Sequence, residues 1–160
     1  MIQFTRKVWT NIHLWSIPVS YFQSRRSAIV ARKGAVATSQ PLAAVAGLQI
    51  IKDGGNAVDA AVATAAVLNV VEPMSTGIGG DMFALIWDKN ERKVIALNGS
   101  GRQAAAANVN DVQKAGFDSI PNNLEGSQFA VSVPGTVHGW ETALNTYGRM
   151  SLKEVLKPAI

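Results

Sequence analysis

The sequence predicts a layered α/β unit, and three observations lead to that class. Residues 57–71 are almost wholly small or β-branched and apolar, with only Asp59, Thr64 and Asn69 polar, so a helix there is covered on most sides. Two short apolar runs, Phe83–Trp87 and Val94–Leu97, are joined by the polar stretch 88–92, which is the pattern of a β-hairpin. Helical and strand patterns then alternate along the chain, which suits helices layered on a sheet, parallel or mixed.

Taken in order, Val36–Thr38 is expected as a short strand and Ser39-Gln40-Pro41 as the turn into a helix, because proline suits the first helical turn. Leu42, Val45, Ala46, Gln49 and Ile50 continue with helical spacing until Gly54-Gly55, glycines that tolerate the positive φ of a helix C-terminus. Asn56 is the N-cap of the next helix, with Asp59 near the positive end of its dipole. Glu72-Pro73 stops that helix, since proline disfavours helical backbone in the residue before it. After the hairpin, Asn98-Gly99-Ser100-Gly101-Arg102 is expected as a flexible loop. The stretch 108–126 is polar and loop-rich, with one short helix at Val109–Ala115. Gln128–Val133 alternates like a strand, Pro134-Gly135 ends it, and Thr136 opens a helix to Tyr147 closed by Gly148 at C′. Ser151-Leu152-Lys153-Glu154 spells a capping box for a last helix. The chain stops at Ile160 inside that helix, so Ile160 reads as a truncation point.

Composition excludes several functions. There is no cysteine, hence no disulfide framework, thiolate metal site or cysteine nucleophile. Six of the 15 basic residues (Arg6, Lys7, Arg25, Arg26, Arg32 and Lys33) lie in the first 33 positions without an acid, leaving nine bases against all 11 acids in the rest. The basic charge is therefore in a leader and not on a folded face, and no nucleic-acid partner is expected. The Ala-rich helix is too short and small-sided for a membrane span, which needs ~20 apolar residues. Residues 1–24 carry no continuous apolar core and no small-residue cleavage site, so a cytoplasmic location is expected.

The motifs are few. Gly77-Ile78-Gly79-Gly80 looks like a phosphate loop, but Met82 stands where the third glycine of a dinucleotide fingerprint belongs and a strand follows instead of a helix. Glycines serving a tight or closely packed backbone are the plainer reading. Arg102, in a Gly/Ser loop after a strand, could clamp a substrate carboxylate bidentately or be a solvated surface arginine. Asp81 is a cap or a partner for Arg102, and spacing does not choose between them. His13 and His138 stand alone, without a partner at metal or acid–base spacing, and default to structural roles. No metal site is expected.

Three blocks matter together: GAVATSQPLAAVAGLQIIKDGGNAVDAAVATAAVLNVVEPMSTGIGGDMFAL (34–85), LNGSGRQAA (97–105) and SVPGTVHGWETALNTYGRMSLKEVLKPAI (132–160). Together they resemble the γ-glutamyltranspeptidase (glutathione hydrolase) family of N-terminal nucleophile (Ntn) hydrolases, over residues 27–160 and without large gaps. The resemblance implies an α+β fold, an αββα four-layer sandwich of the Ntn-hydrolase type that is incomplete in this chain. Residues 1–26 are then an N-terminal extension, and 27–160 the N-terminal part of the large subunit.

The resemblance also implies a zymogen that cuts itself into two subunits, the new N-terminal threonine of the small subunit being the nucleophile. That threonine lies outside this chain. Thr10, Thr38, Thr76 and Thr136 do not match its motif, so no catalytic residue is expected here and the fragment alone should be inactive. Arg102 resembles the arginine that clamps the α-carboxylate of the γ-glutamyl group, with Gly77, Gly79, Gly80 and Asp81 as a wall of the site. The implied partners are a γ-glutamyl or acyl amide substrate and the missing small subunit, with no metal or organic cofactor. Two departures stand out. Gln103-Ala104-Ala105-Ala106 replaces the usual Glu-x-Ala-Pro after the arginine, and Asp81 stands where the transpeptidases usually carry another glycine. Gly99-Ser100-Gly101-Arg102 and Gly79-Gly80-Asp81-x-Phe83 are closer to the acylase-like branch, which makes a glutaryl or cephalosporin-type acylase the alternative activity, and a non-catalytic fragment the other.

Overall fold

A computed structural model describes residues 27–120 and 127–160 of the chain. The N-terminal extension expected at 1–26, with Thr10 and His13, lies outside the described residues, as does part of the polar stretch 108–126. Contacts divide the chain into Met1–Val30 and Ala31–Ile160, and every element below belongs to the second unit.

Helix α1 spans Pro41–Lys52, with Pro41 in its first turn as the sequence predicts. Asp53 caps it and Gly54 follows at φ +99°, a left-handed backbone that glycine adopts without steric cost. Helix α2, Ala57–Val71, opens with a reciprocal cap: the Asn56 side chain accepts the N–H groups of Val58 and Asp59, and the Asp59 carboxylate accepts the N–H of Asn56 at 2.7 Å. The two helices meet where α1 has no side chain. A Cβ on Gly47 would lie 2.3 Å from Thr64 Oγ1 and 3.2 Å from the Ala60 carbonyl oxygen, so glycine is what lets the backbones approach. At the far end Ser39 Oγ donates to Glu72 Oε2, tying the start of α1 to the end of α2.

Strands β1 (Met82–Asp88) and β2 (Lys93–Gly99) form an antiparallel hairpin, with Met82 opposite Gly99 and Asp88 opposite Lys93. Its turn is polar, as expected; Asp88 Oδ1 accepts the N–H groups of Asn90 and Glu91. Helix α3 is short, Val109–Lys114. Helix α4 runs Thr136–Tyr147, and α5 runs Leu152–Leu156 behind the predicted Ser151/Glu154 capping box, continued by a 3-10 turn at Lys157–Ala159. Helix α2 packs against α1, α4 and α5, and α4 lies on both strands. The core is Ile50 of α1, Ala60, Val62, Ala63 and Ala66 of α2, Trp140 and Leu144 of α4, and Val155 of α5. Burying each of the larger side chains contributes roughly 1.5–3 kcal/mol. The α2 surface is not closed all round: Ala57 and Ala61 are exposed, leaving a strip of small side chains open beside the hairpin.

Four local expectations need correction. Val36–Thr38 forms no strand, because a strand exists only by pairing and the described sheet has just the two strands of the hairpin. Gln128–Val133 is not a strand either; it is a 3-10 turn, Ser127–Phe129, followed by a single bridge between Ser132 and Gln103. Gly148 ends α4 at φ −78°, outside the left-handed region. Its glycine answers to space, since a Cβ would lie 2.6 Å from the Leu144 carbonyl oxygen and 2.7 Å from Asp59 Oδ1. The loop 98–102 is pinned by hydrogen bonds, as described next.

The described residues are a mixed α/β arrangement of helices on one face of a two-stranded sheet. The opposite face presents Phe83, Leu85, Trp87 and Val94, between 60% and 79% exposed, so both faces of the hairpin are apolar. A hairpin built that way is the pattern of a sheet covered on two sides.

Candidate functional site

Three segments far apart in sequence converge at the end of the hairpin: the glycine loop 77–81, the loop 98–102 and the turn 132–136. The glycine loop is a tight turn closed by the Gly80 N–H on the Gly77 carbonyl at 3.2 Å. The Gly80 carbonyl accepts the N–H groups of both Gly135 and Thr136 at 3.0 Å, and Thr136 Oγ1 reaches the Gly77 carbonyl at 3.4 Å. The N-terminus of α4 thus grips the glycine loop with groups that a helix start leaves unpaired. Thr136 is buried and its hydroxyl is engaged structurally.

The Arg102 loop is held from both sides. Asn98 Oδ1 accepts the Ser100 N–H at 2.9 Å, Asp81 Oδ1 accepts the Gly101 N–H at 2.6 Å, and the Val133 N–H donates to the Arg102 carbonyl at 2.8 Å. Packing is equally restrictive. A Cβ on Gly101 would sit 1.8 Å from the Val133 carbonyl oxygen, and one on Gly135 would sit 2.3 Å from the Gly99 carbonyl oxygen. The sequence alone does not reveal these two glycines as site residues, because what they avoid lies on other segments.

Asp81 is therefore bound to the backbone at Gly101 and, at 3.4 Å, to the Ser132 hydroxyl, and not to Arg102. The Arg102 side chain is exposed and has no ion-pair partner among the described residues. Gly77 and Gly79 are exposed too; a Cβ on either would meet nothing within 4 Å, and neither has positive φ. The tight-turn reading of that loop holds and close packing does not explain these two glycines. His138 lies exposed on α4. Among the described residues no group of three or more His, Asp or Glu side chains could hold a metal ion, and no helix is long and apolar enough to cross a membrane.

What the arrangement offers chemically is an exposed guanidinium on a hydrogen-bonded backbone, beside an open glycine turn. A fork of fixed donors of that kind suits a planar carboxylate.

Comparison with known proteins gives a consistent result. The family model for gamma-glutamyltranspeptidase matches residues 43–160. The chain is 45% identical over 131 residues to the glutathione hydrolase-like YwrD proenzyme of Bacillus subtilis, covering 82% of this chain and 24% of that protein. Among solved structures, the gamma-glutamyltranspeptidase of Helicobacter pylori aligns with a TM-score of 0.68 and 33% identity, over 83% of this chain and 38% of that one. The cephalosporin acylase of Bacillus halodurans aligns with a TM-score of 0.67 and 41% identity, over 86% of this chain and 26% of that one. The chain thus spans about a quarter of the length of the curated relatives it matches.

Proposed function

The chain belongs to the γ-glutamyltranspeptidase family, and from that premise we propose that the whole protein is an amidohydrolase of the glutathione hydrolase type. In this reading the nucleophile is an N-terminal threonine that self-cleavage exposes outside these 160 residues. Its hydroxyl attacks the substrate amide carbonyl while its own α-amine, with a pKa near ~8, takes the hydroxyl proton. The tetrahedral intermediate collapses as that proton passes to the leaving amine. Water, or an acceptor amine, then releases the acyl group from the threonine ester. The present residues supply binding: Arg102 anchors the substrate carboxylate, and Gly77, Gly79, Gly80 and Asp81 line the approach to it.

One observation carries this reading: an exposed arginine, unpaired among the described residues, stands on a loop held on both sides, by the Asp81 carboxylate on the Gly101 N–H and by the Val133 N–H on the arginine's carbonyl. Holding a binding group before the ligand arrives lowers the entropy lost on binding. The apolar outer face of the hairpin supports a further part of the proposal, a four-layer sandwich in which a second sheet covers Phe83, Leu85 and Trp87. The small subunit is the natural source of that sheet.

A second reading, an acylase that removes glutaryl-type side chains, is favoured by the 41% identity to a cephalosporin acylase. A carboxylate anchor serves both, but only a γ-glutamyl substrate brings an α-amine.

The test joins two measurements on the whole protein. Intact mass should show two fragments, the smaller beginning with threonine, and γ-glutamyl-p-nitroanilide should be hydrolysed faster than glutaryl-p-nitroanilide. The reverse preference selects the acylase reading. A single uncut chain with neither activity overturns both.

A further inference from the structure

We propose that Asp81 is a positioning residue that presets Arg102 for its ligand, an inference that rests on the reading of Arg102 as a carboxylate anchor. Asp81 sits between the Gly77–Gly80 turn and the first residue of β1, and Met82 is paired with Gly99. The hairpin register therefore carries Asp81 alongside Ser100 and Gly101. Its Oδ1 accepts the Gly101 N–H at 2.6 Å and the Ser132 hydroxyl at 3.4 Å. On the other side of Arg102, the Val133 N–H fixes the carbonyl at 2.8 Å and Gln103 bridges to Ser132. The backbone is thus held at the Gly101 N–H, one residue before Arg102, and at Arg102's own carbonyl, and Asp81 provides the hold on the N-terminal side.

The choice of partner matters. An aspartate bonded to the guanidinium would compete with a substrate carboxylate for the same donors. Asp81 is bonded to the peptide N–H one residue earlier, so it stiffens the loop and leaves the guanidinium available. Gly101 adds to the constraint, since any side chain there would drive the loop off the Val133 carbonyl. Sites of this kind lose binding when their support loosens, even with every binding group present.

The test uses Asp81→Ala, Asp81→Asn and Arg102→Ala in the whole protein, with γ-glutamyl-p-nitroanilide as the probe. Asp81→Ala should raise KM by about tenfold while kcat changes by less than about threefold, because the loss is in binding. Asp81→Asn keeps an acceptor oxygen for the Gly101 N–H and should bring KM back to within about threefold of the parent value. Amide exchange in the whole protein without substrate supplies a second readout: Asp81→Ala should speed exchange at Gly101 by about tenfold, and Asp81→Asn by much less.

An unchanged KM in Asp81→Ala, an equal defect in both Asp81 variants, or unchanged exchange at Gly101 would each overturn the proposal. The Arg102→Ala control separates two failures. If it raises KM and Asp81→Ala does not, only the positioning role falls. If it leaves KM unchanged, Arg102 is no anchor and the positioning role falls with it.

Discussion

The carboxylate of Asp59 accepts the backbone N–H of Arg149, ninety positions later, at 3.0 and 3.1 Å to its two oxygens. It also takes the N–H groups of Met150 and Asn56, and it is wholly buried. Asn56 Nδ2 adds a bond to the Tyr147 carbonyl at 2.6 Å. One aspartate on α2 thus caps its own helix and latches the connection between α4 and α5. Because α4 also grips the glycine loop, this latch sets the platform on which the candidate site stands.

Asp59→Ala should therefore be among the most damaging single changes in the chain. It leaves the partly buried N–H groups of Asn56, Arg149 and Met150 without that acceptor, a loss of about 3 kcal/mol. Asp59→Asn retains one acceptor oxygen and should cost less. Urea denaturation of the two variants checks the order, and an Ala variant as stable as the parent would show that the latch contributes nothing.

Gly47→Ala should destabilise by about 2 kcal/mol, because its methyl would press into Thr64 Oγ1 at the α1–α2 crossing. Adding Thr64→Ala removes that oxygen and should recover part of the loss, leaving the milder contacts with Val36 at 3.1 Å and the Ala60 carbonyl oxygen at 3.2 Å. Thermal melts of the single and double variants read the coupling directly.

The Ser151/Glu154 capping box makes α5 sensitive to acid. The Ser151 hydroxyl, and then its N–H, hold the Glu154 carboxyl below the usual glutamate range. A lowered carboxyl pKa contributes stability that is present above the unfolded-state value and is lost as pH falls through the folded-state value. The Tm gap between parent and Glu154→Gln should accordingly be open at neutral pH and close below the glutamate range. A gap that stays constant down to strongly acid pH would contradict the sign.

Arg102→Lys should weaken binding of a carboxylate substrate by about tenfold in KM, because a point charge replaces a planar fork. Steady-state kinetics on the whole protein test it, and unchanged kinetics would remove Arg102 from the site.

Leu85→Asp separates the hairpin's two possible surroundings. Leu85 is 79% exposed in these residues, so the change should move the stability of the 160-residue chain little. Under a second sheet it would bury an unpaired carboxylate, and the whole protein should lose about 3 kcal/mol or more. Equal, small effects in both would leave the outer face of the hairpin uncovered.

Sequence by itself determined what local chemistry determines. Pro41, Asn56 and Ser151 set helix starts because caps act within three residues, and α2 and α4 have the predicted bounds. The hairpin followed from two apolar runs around a polar turn. The tertiary structure alone decided whatever depends on a distant partner. Val36–Thr38 and Gln128–Val133 have strand-like sequences but no strand, because pairing needs an edge that no local pattern supplies. Asp81 was open between cap and arginine partner until the hairpin register brought Gly101 beside it. Gly101 and Gly135 owe their identity to atoms of other segments, and Gly148 does so in part through Asp59, which spacing along the chain does not record.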